Sequence, residues 1–249
     1  MRVRVGPVLG AVAVVVVGLL AGCSSGGGAK AAPSPTKTAD TYGCLSQAQA
    51  DRGSFGLPSN GVKRDAYFQD SDAGHARAAV VFSHQNGGSL CDWYPYLAEF
   101  TKAGYAVLPF SSQGEVPEDI AAAEDYLKAK GVTSVALVGA SKGGTASLVA
   151  GAHPGSLPVP AVVSLSGPEQ FGDFDGVKAV TASKAAEFFA AEENDQPFAD
   201  NAASLHRQAV SPAKQLKIYP GVHHGAPLLQ DGALPDVLAF LAKYVPAAG

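Results

Sequence analysis

A serine flanked by glycines is the part of the chain whose residue types most clearly suggest chemistry. The run Gly139-Ala140-Ser141-Lys142-Gly143-Gly144 follows a predicted strand at 134–138 and opens a helix of small residues. A serine on a tight strand-to-helix turn needs small neighbours, because its backbone is strained and adjacent side chains would clash across the turn. The turn also points the backbone N–H of Lys142 toward the carbonyl oxygen of any group that Ser141 attacks. The pattern therefore predicts a nucleophilic serine with Lys142 as an oxyanion donor; a glycine-rich turn with a structural serine is the alternative.

The serine turn and its surroundings resemble the α/β-hydrolase family, most closely its dienelactone-hydrolase-like and small esterase members, over residues 42–245. The resemblance implies an α/β fold with a mostly parallel central sheet and helices on both faces. It also implies that a nucleophile, an acid and a base follow one another in that order along the chain. Because only residues 167–194 separate a predicted strand from the expected acid, we expect a small or absent cap.

The resemblance implies that the acid follows a strand that ends near residue 191. Three carboxylates lie there, those of Glu192, Glu193 and Asp195. Asp195 matches the family position and lies on a loop at the carboxyl end of a strand, where open α/β sheets hold their sites. We therefore expect Asp195 to be the acid, with Glu193 and Glu192 as alternatives. The alternative is that these carboxylates are a run of charged residues exposed to solvent, with no catalytic role.

The base is expected beyond the last strand, in the run Gly221-Val222-His223-His224-Gly225. Members of the family commonly carry a glycine, a short gap and then His-Gly here, which selects His224, with His223 as its competitor. A neutral imidazole, with a pKa of about 6.5, can accept the serine proton and return it to the leaving group. A carboxylate on its far nitrogen fixes the tautomer and stabilises the imidazolium that forms.

A second oxyanion donor is expected after the predicted strand at 78–83, where His84-Gln85-Asn86-Gly87-Gly88 resembles the family's His-Gly-x-Gly region. Gln85 departs from the glycine of many relatives. By the resemblance the donor is the backbone N–H of Asn86, with Gln85 as the alternative, and such a donor accelerates a reaction about 100- to 1000-fold. His84 is expected to make a structural hydrogen bond. A metal site from His84, His223 and His224 is conceivable, but no HExxH spacing occurs, and we expect no metal and no cofactor.

Alternating strands and helices are predicted to hold these residues. The runs predicted as strands are 78–83, 105–110, 135–138, 161–165, 185–191 and 216–219. The runs with apolar residues at helical spacing are 93–103, 117–130, 144–152, 199–208 and 233–244. This alternation predicts one domain over 42–249, with a mostly parallel sheet covered by helices on both faces. The segment 185–191 would suit a helix on propensity alone, and the expected acid loop after it favours a strand.

The first 22 residues have the three regions of a secretory signal peptide. Arg2 and Arg4 precede an apolar run at 8–20, and Leu20-Ala21-Gly22-Cys23 resembles the lipobox of bacterial lipoproteins. The resemblance implies that Cys23 becomes the lipidated first residue; an uncleaved membrane anchor is the alternative. Residues 23–41, rich in Ser, Gly, Ala and Pro, are predicted to form a flexible linker. Both interpretations put the following domain outside the cytoplasm, at the membrane.

Composition excludes several other classes of protein. The formal charge is −4, and no block of basic residues offers a surface for nucleic acid. With 47% hydrophobic residues the chain can bury a large core. Three cysteines are too few for a disulfide scaffold, but outside the cytoplasm Cys44 and Cys91 could form a disulfide; two buried thiols are the alternative.

These features predict an exported, lipid-anchored serine hydrolase that cleaves a carboxylic ester through Ser141, Asp195 and His224. We expect a monomer acting on small or polymeric esters. A non-catalytic envelope lipoprotein that keeps the hydrolase fold as a binding module is the alternative, because a fold alone does not guarantee activity. A peptidase of the same fold would usually need an extra domain or a large cap.

Overall fold

The computed structural model describes residues 38–247, and the predicted signal peptide, Cys23 and most of the predicted linker lie outside them. The strands are β1 (Ser54–Ser59), β2 (Val62–Tyr67), β3 (Ala78–Ser83), β4 (Ala106–Phe110), β5 (Ser134–Ala140), β6 (Ala161–Leu165), β7 (Gln170–Phe171), β8 (Phe174–Asp175), β9 (Ala186–Glu192) and β10 (Lys214–Tyr219). The helices are α1 (Gln47–Gly53), α2 (Leu97–Lys102), α3 (Val116–Ala129), α4 (Lys142–Ala152), α5 (Gly176–Val180), α6 (Phe198–Gln208) and α7 (Ala233–Tyr244). Single 3-10 turns span Leu90–Asp92, Tyr94–Tyr96 and Ala226–Leu229.

Eight strands form the central sheet in the order β1-β2-β4-β3-β5-β6-β9-β10. The pairs from β4 to β10 are parallel, and only β1 and β2 add antiparallel neighbours at one edge. The carboxyl ends of β3, β5, β6, β9 and β10 therefore meet along one edge of the sheet. Loops after parallel strands gather there, which is where open α/β sheets hold their sites.

A core on each face of the sheet fixes this arrangement. Successive side chains of a strand point to opposite faces, so Val81 belongs to the core that includes residues of α3, α4, α5 and α6. Its neighbour Val80 belongs to the core on the other face, with residues of α1, α2 and α7. Strands β3, β4, β6 and β9 are buried along their whole length. Burial on both faces explains why these strands are apolar runs with little alternation.

The mostly parallel sheet between two helical layers confirms the predicted fold class. The ambiguous segment 185–191 forms β9, paired in parallel with β6 and β10, so pairing and burial outweigh its helical propensity. The predicted helix at 93–103 is wrong in its first part, because Pro95 lies in a 3-10 turn and α2 begins only at Leu97. Proline supplies no backbone N–H, so it favours the first turn of a helix over its interior.

A short helix and two hairpins of the structure lie outside the predicted runs. Helix α1 and the β1-β2 hairpin precede the first predicted strand, and Asn60 and Gly61 form the hairpin turn with φ of 45° and 78°. Both residues tolerate positive φ, which a two-residue hairpin turn of this kind requires. A small hairpin of β7 and β8 follows β6 at the site edge of the sheet.

A disulfide joins Cys44 to Cys91 across 47 residues, with the two Cα atoms 5.8 Å apart. It connects the segment before α1 to the 3-10 turn that follows β3. The disulfide closes a loop in the unfolded chain and so lowers the conformational entropy of that state. For a loop of this size, this raises the free energy of unfolding by about 4 kcal/mol. Among residues 38–247, no helix is long and apolar enough to cross a membrane.

Glu187 in β9 is a buried carboxylate at the end of the sheet opposite the expected site. Its side chain is inaccessible to solvent, and neither carboxylate oxygen has a hydrogen-bond partner. Burial raises the pKa of Glu187 from its ordinary value of 4.5 to about 7, and Ser183 and Lys214 offset only part of that rise. The folded chain therefore keeps a proton that the unfolded chain loses within this pH range.

The free energy of unfolding should accordingly fall as the pH rises from about 4.5 to 7, because the unfolded chain binds fewer protons there. Glu187→Gln keeps the shape of the protonated acid but cannot ionise. Urea unfolding should show equal stability for parent and variant at pH 4.5 and an advantage of about 3 kcal/mol for the variant at pH 8.5. Glu193→Gln, at an exposed carboxylate, is the control. An advantage that does not change with pH would contradict the assignment.

Candidate active site

Ser141 lies on the sharp turn between β5 and α4. Its backbone angles, φ of 49° and ψ of −118°, fall in a region that residues other than glycine rarely adopt. The backbone N–H of Ser141 donates to the carbonyl of Leu165 at 2.8 Å, which ties the turn to β6. A Cβ on Gly139 would lie 2.1 Å from the carbonyl oxygen of Gly143, so only glycine allows the turn to close. This is the geometry that exposes a nucleophile at the edge of a sheet.

A second strained serine supports the turn from the neighbouring strand. Ser166 follows β6 with a φ of 53°, and its backbone N–H donates to Ala190 of β9 at 2.7 Å. Its hydroxyl accepts a 3.0 Å hydrogen bond from the backbone N–H of Gly225. A Cβ on Gly225 would lie 3.1 Å from the Cβ of Ala140, so the loop that carries His224 packs against the residue before Ser141.

Asp195 and His224 form an acid–imidazole pair. The Nδ1 atom of His224 lies 2.9 and 3.0 Å from the two carboxylate oxygens of Asp195. Asp195 is buried on the loop after β9, and the imidazole, 30% exposed, packs against the ring of Phe198 at a centroid distance of 4.2 Å. A carboxylate facing Nδ1 keeps the proton on that atom and leaves Nε2 as an acceptor.

Glu192 and Glu193, the alternative acids, make no hydrogen bond or ion pair with His224. Glu192 is buried and accepts a 2.6 Å hydrogen bond from the backbone N–H of His223, whereas Glu193 is exposed. The His223 side chain faces Asp231, with Nδ1 2.8 Å from a carboxylate oxygen. Of the two adjacent histidines, only His224 therefore faces Asp195.

The structure does not join the serine to the imidazole. Within the described residues, Ser141 Oγ makes no hydrogen bond to His224, whose contacts are with Asp195 and Phe198. Such a bond is often long or poorly aligned until substrate is bound. The nearby packing of Gly225 on Ala140 keeps the two side chains on the same edge of the sheet.

His84 positions the loop after β3. Its Nε2 accepts a 2.9 Å hydrogen bond from the backbone N–H of Ser112, so Nδ1 carries the proton and donates to the carbonyl of Gln85 at 2.6 Å. Burial lowers the pKa of His84, and the positive charge of neighbouring Lys142 lowers it further. A neutral imidazole with both nitrogens bonded to the backbone has a structural role, as the sequence predicted. His84 is not available to form a metal site with His223 and His224.

The predicted oxyanion donors lie close to the serine turn. A Cβ on Gly143 would lie 2.1 Å from the carbonyl oxygen of Ser83, so the end of β3 touches the first turn of α4. Lys142 is the first residue of α4, where backbone N–H groups have no partner within the helix. Within residues 38–247, neither Gln85 nor Asn86 uses its backbone N–H in a loop hydrogen bond. Both therefore remain candidates for the second donor.

The side chain of Lys142 is largely buried, and burial lowers its pKa. Lys142 and Asn86 line a cavity of about 230 Å³ beside the turn. The rest of the lining comes from Gln113, Gly114, Phe171, Gly172, Asp173 and Phe174. The β7-β8 hairpin thus forms one wall of the cavity.

Several supporting residues carry no signal in the sequence. Ser112, Ser166 and Phe198 stand in segments without a motif, and their contacts with the His84 and His224 loops depend on the packing of strands distant in sequence. The cis peptide bond that precedes Pro197 lies in the loop of Asp195. In the sequence, only the presence of a proline at this position could have indicated the cis bond.

Comparison with solved structures finds similar folds at low sequence identity. A dienelactone hydrolase from Anabaena variabilis has a TM-score of 0.62 and 23% identity, over 77% of this chain and 94% of that one. The esterase domain of a Rhodothermus marinus protein has a TM-score of 0.64 and 20% identity, over 77% and 98%. A Pyrococcus furiosus esterase has a TM-score of 0.65 and 14% identity, over 77% and 90%. The chain therefore has an α/β-hydrolase fold.

The sequence matches no protein-family model, and no curated protein matches it. At these identities the structural likeness extends to the fold alone. The chemistry of the site has to be argued from the residues of this chain.

The close approach of β3 to α4 makes Gly143 a sensitive position. Gly143→Ala would place a methyl group against the backbone carbonyls of Ser83 and His84, at 2.1 and 2.7 Å, and backbone cannot move aside as a side chain can. We expect a loss of more than about 2 kcal/mol in the free energy of unfolding, measured in urea. Gly56→Ala is the control, because its methyl group would meet only the flexible side chain of Lys63, at 3.1 Å. Equal effects of the two substitutions would contradict this packing.

Proposed function

We propose that the chain is an exported serine hydrolase that cleaves carboxylic esters through a covalent acyl-enzyme. The observation that carries the proposal is the pairing of His224 Nδ1 with Asp195 at 2.9 Å, in a loop packed against the strained turn of Ser141. A serine, an imidazole and a carboxylate in this chain order match the requirements of nucleophilic acyl transfer. The names of the similar structures, esterases and a dienelactone hydrolase, support the same substrate class.

In this mechanism Ser141 Oγ attacks the carbonyl carbon of the ester while His224 Nε2 takes the hydroxyl proton. The carbonyl oxygen gains negative charge, which the backbone N–H groups of Lys142 and of Asn86 or Gln85 stabilise. His224 then gives the proton to the departing alcohol, and Asp195 stabilises the imidazolium between the two transfers. Water, activated by the same imidazole, cleaves the acyl-enzyme and restores the serine.

Small esters, or single ester groups of a polymer, fit the site better than bulky substrates do. The cavity beside the serine turn has a volume of only about 230 Å³, and the short β7-β8 hairpin forms one of its walls. Trp93 is fully buried in the core and offers no surface to a ligand. Polar residues contribute to the lining of the cavity, among them Asn86, Gln113 and Lys142, which favours esters with an additional polar group.

Export to the outer face of the membrane, with a lipid on Cys23, is the second part of the proposal. It rests on the charged, apolar and lipobox regions of residues 1–23. The disulfide between Cys44 and Cys91 supports it, because such bonds form and persist outside the reducing cytoplasm. We propose that the folded domain acts there as a monomer.

Kinetics of a small aryl ester at pH 7.5, in buffer containing a chelator, test the choice of base. His224→Ala should lower kcat by at least about 1000-fold, because the proton then has no acceptor. His223→Ala is the matched control one residue away, and it should change kcat less than tenfold. The opposite ranking would identify the wrong histidine, and a folded parent without turnover would favour the non-catalytic binding module.

Mass spectrometry of the N-terminal peptide from a bacterial membrane fraction tests the lipid anchor. The parent should begin at Cys23 and carry the mass of a diacylglyceryl group. Cys23→Ala should keep residues 1–22, because the peptidase acts only after the thiol is modified. A parent that begins elsewhere, without lipid, would contradict the anchor and leave the chemistry of the site untouched.

A further inference from the structure

Three side chains that ester cleavage does not use converge next to the His224 loop. Glu192 ends β9, His223 precedes His224, and Asp231 stands between a 3-10 turn and α7. Nδ1 of His223 lies 2.8 Å from a carboxylate oxygen of Asp231 and 3.8 Å from Oε1 of Glu192. All the potential ligand atoms lie within 4.8 Å of one another, and this is the one such group among the described residues.

The buried carboxylate of Glu192 is the feature that needs an explanation. Its side chain is inaccessible to solvent; Oε2 accepts the backbone N–H of His223 at 2.6 Å, and Oε1 has no hydrogen-bond partner. A buried charge is costly unless an opposite charge or a metal ion compensates it. A Cβ on Gly221 would lie 1.9 Å from Oε2, so the loop can approach this carboxylate only because it has glycine there.

We propose that Glu192 Oε1, His223 Nδ1 and the Asp231 carboxylate bind one divalent transition-metal ion of the zinc class. Bonds of about 2.1 Å to nitrogen and oxygen in tetrahedral geometry put neighbouring donor atoms about 3.4 Å apart. The observed separations of 2.8 and 3.8 Å lie on either side of that value. An imidazole with two carboxylates suits zinc and its neighbours, whereas calcium and magnesium prefer oxygen ligands alone.

Access from solvent is compatible with reversible loading of the ion. The side chains of His223 and Asp231 are 59% and 29% exposed, so water can complete the coordination sphere on that side. Glu192 supplies the buried side of the site. The arrangement has one inner carboxylate anchored on a strand and two outer ligands on loops.

The ion would position the catalytic loops and take no part in the chemistry. It would connect the end of β9 to the His223 loop and to the start of α7. The backbone N–H and side-chain amide of Asn194, next to Asp195, already bond to the carbonyl of Gly221, both at 3.1 Å. A metal ion bound to Glu192 and His223 would therefore add a second link between the loop that carries Asp195 and the loop that carries His224.

Isothermal titration of the full chain with zinc chloride tests the site without any need for turnover. The parent should bind one ion, and its Tm should rise in excess zinc, because an ion that binds only the folded chain stabilises it. Glu192→Gln, His223→Gln and Asp231→Asn should each weaken binding at least tenfold. His75→Gln is the matched control, since His75 and Asp70 form an exposed histidine–carboxylate pair, 3.4 Å apart.

Two results would overturn the site. The first is a folded parent that binds no zinc. The second is zinc binding that neither Glu192→Gln nor Asp231→Asn weakens, which would mean that Cys23 or surface histidines bind the ion. If Glu192→Gln fails to fold, Asp231→Asn at its partly exposed position carries the same test. Because the readout is binding, a failure here leaves the proposed serine chemistry standing. Equally, absence of esterase activity would leave the zinc site standing.

Discussion

The backbone conformation of Ser141 is the constraint on which the rest of the site depends. A positive φ at a residue with a side chain is costly, and it persists only where surrounding structure enforces it. Here the enforcement comes from close backbone packing: Gly139 against Gly143 within the turn, and Gly143 against the end of β3. The parallel sheet aligns the ends of β3, β5 and β6, so the serine turn, which is bonded to Leu165, lies beside the loop of His84 at one edge of the sheet.

The predicted acid, Asp195, and the predicted base, His224, lie on the loops that follow the last two parallel strands. The loop after β9 carries both Glu192 and Asp195, and the loop after β10 carries both His223 and His224. The side chains of His223 and His224 point in different directions, so the two histidines face different carboxylates. Asp195 and His224 form one pair, beside the serine turn, and Asp231 and His223 form the other. Two acid–imidazole pairs thus take their histidines from the same loop.

The sequence predicted the parts of the molecule that local pattern determines. Glycines around Ser141 and apolar runs in the sheet follow from backbone sterics and burial, and both can be recognised in a short window. The contacts of Ser112 and Ser166 could not be predicted, because they depend on strands that are distant along the chain. From the sequence, Glu192 is only an alternative to Asp195 as the acid, because no local signal distinguishes a buried carboxylate from a solvated one. In the β1-β2 hairpin, by contrast, the Asn60-Gly61 sequence is itself a local signal for a two-residue turn.

The activation of Ser141 is the claim that most directly separates an enzyme from a binding module with the same fold. It can be measured as the intact mass of the chain after incubation with a fluorophosphonate probe, which reacts with serines made nucleophilic by a neighbouring base. The account predicts one adduct on the parent and none on Ser141→Ala. A well-folded parent that gains no adduct, or a Ser141→Ala chain that is labelled equally, would contradict it.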